Sequence, residues 1–169
     1  MSDPDLQRKA ASDATAAANR AVAASLPLDD PVDRDFASRG FVARGTERQI
    51  GGGLGVVWDL DAWDFLDGDA PATANPSLWR QSQLCAIDGL FEVVPGIWQV
   101  RGYDLANISF IAGETGWIVV DPLTTAETAR AALALADEHL GARPVRAVIY
   151  THSHIDHFGG VRGIVTDEQ

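Results

Sequence analysis

Cysteine is almost absent from this sequence: Cys85 is the single thiol among 169 residues. An internal disulfide is therefore excluded, the compartment is left undecided, and Cys85 itself is expected to be a small buried hydrophobe. Basic residues are also scarce, with 13 Lys and Arg against 24 Asp and Glu and a formal net charge of −11. A protein that tracks nucleic-acid phosphates needs a basic face, so that class of partner is excluded. An anionic small molecule is not, because a bound dication brings its own positive charge. No stretch approaches the roughly 18 apolar residues of a membrane span. Met1 to Ala24 carries Asp3, Asp5, Arg8, Lys9, Asp13 and Arg20 and lacks the apolar core of a signal peptide. The chain reads as cytoplasmic by default, with periplasmic or secreted placement left open.

What is present is the composition of a soluble domain with its own core, 46% hydrophobic and 22% charged. Alanines at helical spacing predict one weakly packing helix over Gln7 to Ala24, closed by Ser25-Leu26-Pro27. Leu28 to Asp35, acidic and flanked by prolines, reads as a linker or extended arm. Gly40 to Trp58 suggests two short strands around a glycine turn; the glycine cluster lacks the Lys-Ser/Thr pair of a phosphate loop. The five aspartates from Asp59 to Asp69 resemble a calcium loop, but no glycine stands at its sixth position and no Glu at its twelfth. Solvated surface with Trp63 and Phe65 buried is the expectation there. Asn75-Pro76 starts a short helix.

Further along, Leu90 to Val100 predicts two strands joined at Pro95-Gly96, and Asn107 to Ala112 with Gly116 to Val120 predicts a second pair. Ala126 to Leu140 is the strongest helix, capped by Thr124 or Thr125 and stopped by Gly141. A buried strand, Val145 to Tyr150, follows. Strand, strand, helix, strand is the rhythm of an α/β layered fold.

Chemistry concentrates directly after that last strand. Thr151-His152-Ser153-His154-Ile155-Asp156-His157-Phe158-Gly159-Gly160 places three imidazoles and a carboxylate within six positions. His nitrogen and Asp oxygen are the donors that borderline divalent ions such as zinc take. His152 and His154 are placed to share one ion, Asp156 and His157 a second, with a helix introduced by Gly159-Gly160. Such ions lower the pKa of a bound water toward about 7 and polarise the oxygens of a scissile group, with Asp156 aiming the water. His139, in the last turn of the strongest helix, is accounted for by the helix dipole. Asp121, closing the strand Gly116 to Val120, can accept the free N–H of a ligating histidine; a turn-forming Asp before Pro122 explains it equally well.

The run His152 to His157 matches the H-x-H-x-D-H signature of the metallo-β-lactamase superfamily. With Asn75 to Gln81, Gly89 to Val94, Gly96 to Asp104 and Tyr150 to Gly160, the chain resembles the zinc alkyl sulfatases, which hydrolyse long-chain sulfate esters such as dodecyl sulfate. The resemblance implies an α/β fold. It would be the N-terminal half of an αββα sandwich, incomplete, with an N-terminal helix and extended arm over residues 1–39 and the first part of the sandwich domain over 40–169. It implies two Zn²⁺ in the complete enzyme, held by His152 and His154 and by Asp156 and His157, with Asp121 behind them and a zinc-bound hydroxide or water as the reactant. The family's remaining zinc ligands, sulfate-binding residues, dimerisation region and lipid-carrier-like domain lie beyond the metal loop, so the full-length protein is expected to be a homodimer. The present chain alone is expected to be inactive, with a sheet face or edge exposed near Ile108 and Val148. The alternatives are another hydrolase of the superfamily, acting on a thioester, lactone or β-lactam, and a non-enzymatic short form that binds a full-length relative.

Overall fold

The computed structural model of this chain describes residues 9–53 and 55–166. Helix α1 (Asp13–Ser25) starts later than its alanine pattern suggests, because Ser12 caps it, its hydroxyl accepting from the Thr15 N–H at 3.1 Å. Of the residues expected before it, 7 and 8 lie outside the described ones. α1 buries no residue. Leu28 to Asp35 does not stay extended: Pro31 opens a short helix, α2 (Val32–Ser38), and the Asp30 carboxylate accepts from the Val32 N–H at 2.9 Å. The acids and proline that read as a linker serve as helix-starting groups instead. Helix α3 (Pro76–Cys85) is capped by Asn75, whose side chain accepts from Ser77 and Leu78. From α3, Arg80 fastens the N-terminal segment by donating to the Leu28 and Asp30 carbonyls and the Asp33 carboxylate at 2.8 to 2.9 Å.

Six strands form the main sheet in the order β1 (Phe41–Ala43), β4 (Gly89–Val94), β5 (Ile97–Arg101), β6 (Ile108–Ala112), β7 (Trp117–Val120) and β8 (Val145–Ile149). Every pairing is antiparallel except β7 with β8. Between β1 and β4 in sequence, β2 (Gln49–Gly52) and β3 (Gly55–Asp59) make a separate hairpin across the glycine run. Gly40 to Trp58 thus holds three strands, not two. Helix α4 (Ala126–Leu140), capped by Thr125, lays Ala129, Ala132, Leu135 and Ala136 against Val100, Ile108, Phe110, Trp117 and Val119. This is the core. Small residues on the helix let it lie close to a sheet face of large ones, as dense packing requires.

Four burial expectations are overturned. Leu60–Leu66 forms a 3-10 turn that buries Leu60 and Leu66 at its ends and leaves Trp63 45% and Phe65 61% exposed. With three residues per turn, Phe65 falls off the face that Leu60 and Leu66 share, whereas Trp63 lies on that face at the middle of the turn and is only partly covered. Cys85 is exposed, at the end of a helix that buries none of its residues. Strand β8 is not buried either: Arg146, Ala147 and Ile149 are exposed, because β8 is the last strand of the sheet among the described residues. Ile108, expected near an open face, is fully buried under α4.

Register decides what lies at each end of the sheet. Gly89 pairs with Arg101, Val100 with Ile108, Ser109 with Val120, and Val120 with Ile149. The start of β4, the 102–107 loop, the turn after β7 and the loop after β8 therefore share one end.

Candidate metal centre

Because β7 and β8 run parallel, the residues that follow them emerge side by side. The Asp121 N–H donates to the Ile149 carbonyl at 3.0 Å, extending the ladder by one step. The chain then turns sharply, with Asp121 at φ 56° and Leu123 at φ 63°, left-handed conformations that non-glycine residues seldom hold. The turn is over-determined. Asp121 accepts from the Thr151 N–H at 2.8 Å and the Thr151 hydroxyl at 2.7 Å, and its Oδ2 lies 2.8 Å from His157 Nδ1. Burial alone would raise the Asp121 carboxyl; the Thr151 N–H, the His157 ring and the Thr151 hydroxyl outweigh it and hold the carboxyl below its ordinary value.

The other side of this turn is held by a residue that sequence reasoning missed. Asp104, 8% exposed, accepts from the Leu105 N–H at 2.7 Å, the Thr124 N–H at 3.0 Å, and the hydroxyls of Thr124 and Thr128 at 2.6 Å each. Both of its oxygens are saturated by neutral donors. Nothing in its local sequence marks Asp104, since its partners lie about twenty residues away.

Gly159 and Gly160 do not introduce a regular helix. They are followed by a 3-10 turn, Val161–Gly163, and their role is close approach. A Cβ at Gly159 would stand 2.3 Å from the Thr124 carbonyl oxygen, and one at Gly160 2.1 Å from that of Pro122. The Gly160 N–H donates to the Leu123 carbonyl at 2.8 Å. The histidine loop is thereby pressed against the 122–126 turn.

Within the loop, His152 Nε2 and His154 Nδ1 face each other at 3.1 Å, and His157 Nε2 lies 3.2 Å from the Asp156 carboxylate. The His152 and His157 rings are 4.0 Å apart, centre to centre. His152 and His154 are exposed, while Asp156 and His157 are half-buried. The structure therefore brings His152, His154, Asp156, His157 and Asp121 together. It leaves His139 on α4 beside Glu138, at 4.0 Å. Among the described residues, no three His, Cys, Asp or Glu side chains are set out as one ion would need; the four donors stand as two pairs. Their chemistry fits a borderline divalent ion, and an Nδ1–H donated to Asp121 leaves the His157 Nε2 lone pair available. The tautomer is inferred from this bonding pattern.

Comparisons with known proteins bear on the chain as a whole. Residues 101–167 match the family model of the metallo-beta-lactamase superfamily, which implies a divalent metal. A linear primary-alkylsulfatase of Pseudomonas sp. is 52% identical over 94% of this chain and 24% of its own length. An alkyl/aryl-sulfatase of Saccharomyces cerevisiae is 48% identical over 90% of the chain and 24% of its own length. The solved structure of the stereoselective inverting sec-alkylsulfatase Pisa1 from Pseudomonas sp. superposes with a TM-score of 0.90 at 52% identity, covering 96% of this chain and 26% of that one. The chain thus spans about a quarter of the length of the relatives it matches. Among the described residues, no helix is long and apolar enough to cross a membrane. By sequence and by fold the chain is similar to the alkylsulfatases, and its residues 101–167 match the metallo-β-lactamase superfamily.

Proposed function

We propose that the full-length protein carrying this sequence hydrolyses alkyl sulfate esters, dodecyl sulfate among them, to an alcohol and inorganic sulfate. The observation that carries this reading is the 52% identity to a linear primary-alkylsulfatase through 94% of the chain. His152 and His154 would hold one zinc ion and Asp156 and His157 a second; when bound, such ions supply Lewis acidity toward sulfate oxygens and acidify water. Asp156 accepts a hydrogen bond from the attacking water and so aims it. Asp121 fixes the His157 ring, and through Thr151 it fixes the start of the loop. Each pair offers two protein donors, one fewer than the three that a catalytic zinc ion takes. On this reading the remaining donors would come from polypeptide outside residues 9–166, in a full-length protein that forms a homodimer.

The test is release of inorganic sulfate from dodecyl sulfate by the full-length protein, assayed beside thioester, lactone and β-lactam substrates. Sulfate release is expected, and its absence with turnover of any other class would replace this reading. The 169-residue chain by itself is expected to bind zinc weakly and to release no sulfate.

A further inference from the structure

The 102–107 loop that carries Asp104 also walls a cavity of about 540 Å³, within the size range of small-molecule sites. Its lining is mainly apolar: Trp58, Leu60, Trp63, Leu66, Leu84 and Ile87 come from the β2–β3 hairpin, the 3-10 turn, α3 and the segment that follows it. Two of its apolar side chains are displayed to solvent, Trp63 at 45% and Leu105 at 77% exposure.

The charged groups in the wall already have partners. Asp88 is bound by Arg44 and Arg48. Arg101 lies over the Phe91 ring, 4.5 Å from its centre, and donates to Gln99 and to the Ala37 carbonyl. Asp104 has its four donors. The wall therefore offers an occupant mainly apolar surface, and its charged groups are already hydrogen-bonded: Asp88 to two guanidinium groups, Arg101 and Asp104 to uncharged partners. Its place is equally specific, since Asp104 bonds to Thr124 in the turn against which Gly159 and Gly160 of the histidine loop are packed.

We propose that this cavity holds the hydrocarbon tail of the ester, an inference that rests on the alkylsulfatase reading. A tail seated there lies beside the end of the sheet that carries Asp156 and His157. Burying each further methylene is worth about 0.8 kcal/mol, so affinity should rise about fourfold per carbon until the cavity is filled.

The experiment measures equilibrium binding of butane-, hexane-, octane- and decanesulfonate to the full-length protein by tryptophan fluorescence, below their micellar concentrations. These ligands keep the tail and the anionic head but have no ester to cleave. Two variants outside the metal loop report on the cavity: Trp63→Ser removes a partly exposed part of its wall, and Cys85→Trp fills it from an exposed helix position. Circular dichroism and the urea midpoint establish that both stay folded. The expected result is saturable binding whose per-methylene gain falls to less than twofold in both variants, with the loss of affinity growing steadily from butanesulfonate to decanesulfonate. A per-methylene gain equal to that of the unmodified protein in both folded variants would overturn the proposal, as would the absence of any dependence on tail length. Sulfonate binding that is lost in the variants, in a protein that releases no sulfate, would retain the cavity and overturn the alkylsulfatase reading.

Discussion

Asp88 and Asp121 are both nearly buried, at 5% and 7% exposure, and both lie at the same end of the sheet, yet their surroundings are opposite in kind. Asp88 is clasped by two guanidinium groups, Arg44 and Arg48, and Arg48 also reaches Asp61 at 2.8 Å. Asp121 is held by an N–H, a hydroxyl and an imidazole. A carboxylate neutralised by fixed cations serves architecture, because its charge is spent in place. One held mainly by neutral donors keeps much of its negative charge, and beside three histidines that charge is directed at whatever cation the loop takes.

The sharpest way to break this contrast is to remove Asp88. Asp88→Ala leaves two arginines facing each other, Arg44 half exposed and Arg48 still paired with Asp61, and should cost about 2 kcal/mol in urea unfolding, less than a fully buried pair that loses one partner. The same contribution should titrate. Burial alone would raise the Asp88 carboxyl, but hydrogen bonds and attraction from Arg48 and Arg44 prevail and depress it. A depressed carboxyl stabilises the folded state fully above the unfolded pKa, and the contribution is lost as pH falls through the lower folded value. The stability difference between the unmodified protein and Asp88→Asn should therefore be flat near neutral pH and shrink below about pH 4. Asp121→Asn tests the other half of the contrast: it should lower metal affinity of the full-length protein about 10- to 100-fold in a chelator competition, with a smaller loss of stability than Asp88→Ala. Thr128→Val removes one donor to Asp104 and should cost about 1 kcal/mol, with faster amide exchange at Thr124. Arg39→Ala, which breaks an exposed ion pair with Asp35, should change stability by less than about 0.5 kcal/mol.

The parts of this structure that were legible in the sequence are those governed by neighbours along the chain. The β4–β5 hairpin at Pro95-Gly96, helix α4 with its Thr125 cap and Gly141 stop, and strand β8 leading into the histidine loop all follow from local pattern. Helix α2 was not legible because its start depends on Asp30 bonding to Val32, a cap in a segment whose composition reads as a linker. Burial at Trp63, Phe65 and Cys85 depends on which face of a short turn or helix meets the sheet, and composition does not carry that. The Asp88 and Asp104 centres were invisible for a different reason: their partners lie 20 to 44 residues away. The donors of the candidate metal centre were legible because a single loop supplies them, whereas the residues that hold that loop in place come from the turn after β7, the start of α4 and the 102–107 loop.

The contact of Gly159 and Gly160 with the carbonyls of Thr124 and Pro122 has a mechanical consequence. Gly163 repeats it, since a Cβ there would stand 2.1 Å from the Ala126 carbonyl oxygen. Three bare Cα positions mesh with three carbonyls along one seam, like teeth in a rack. Neither strip of backbone can slide without the other, so a displacement of the histidine loop is transmitted without slack to the first turn of α4. Any bulk inserted along that seam would prise both strips apart together.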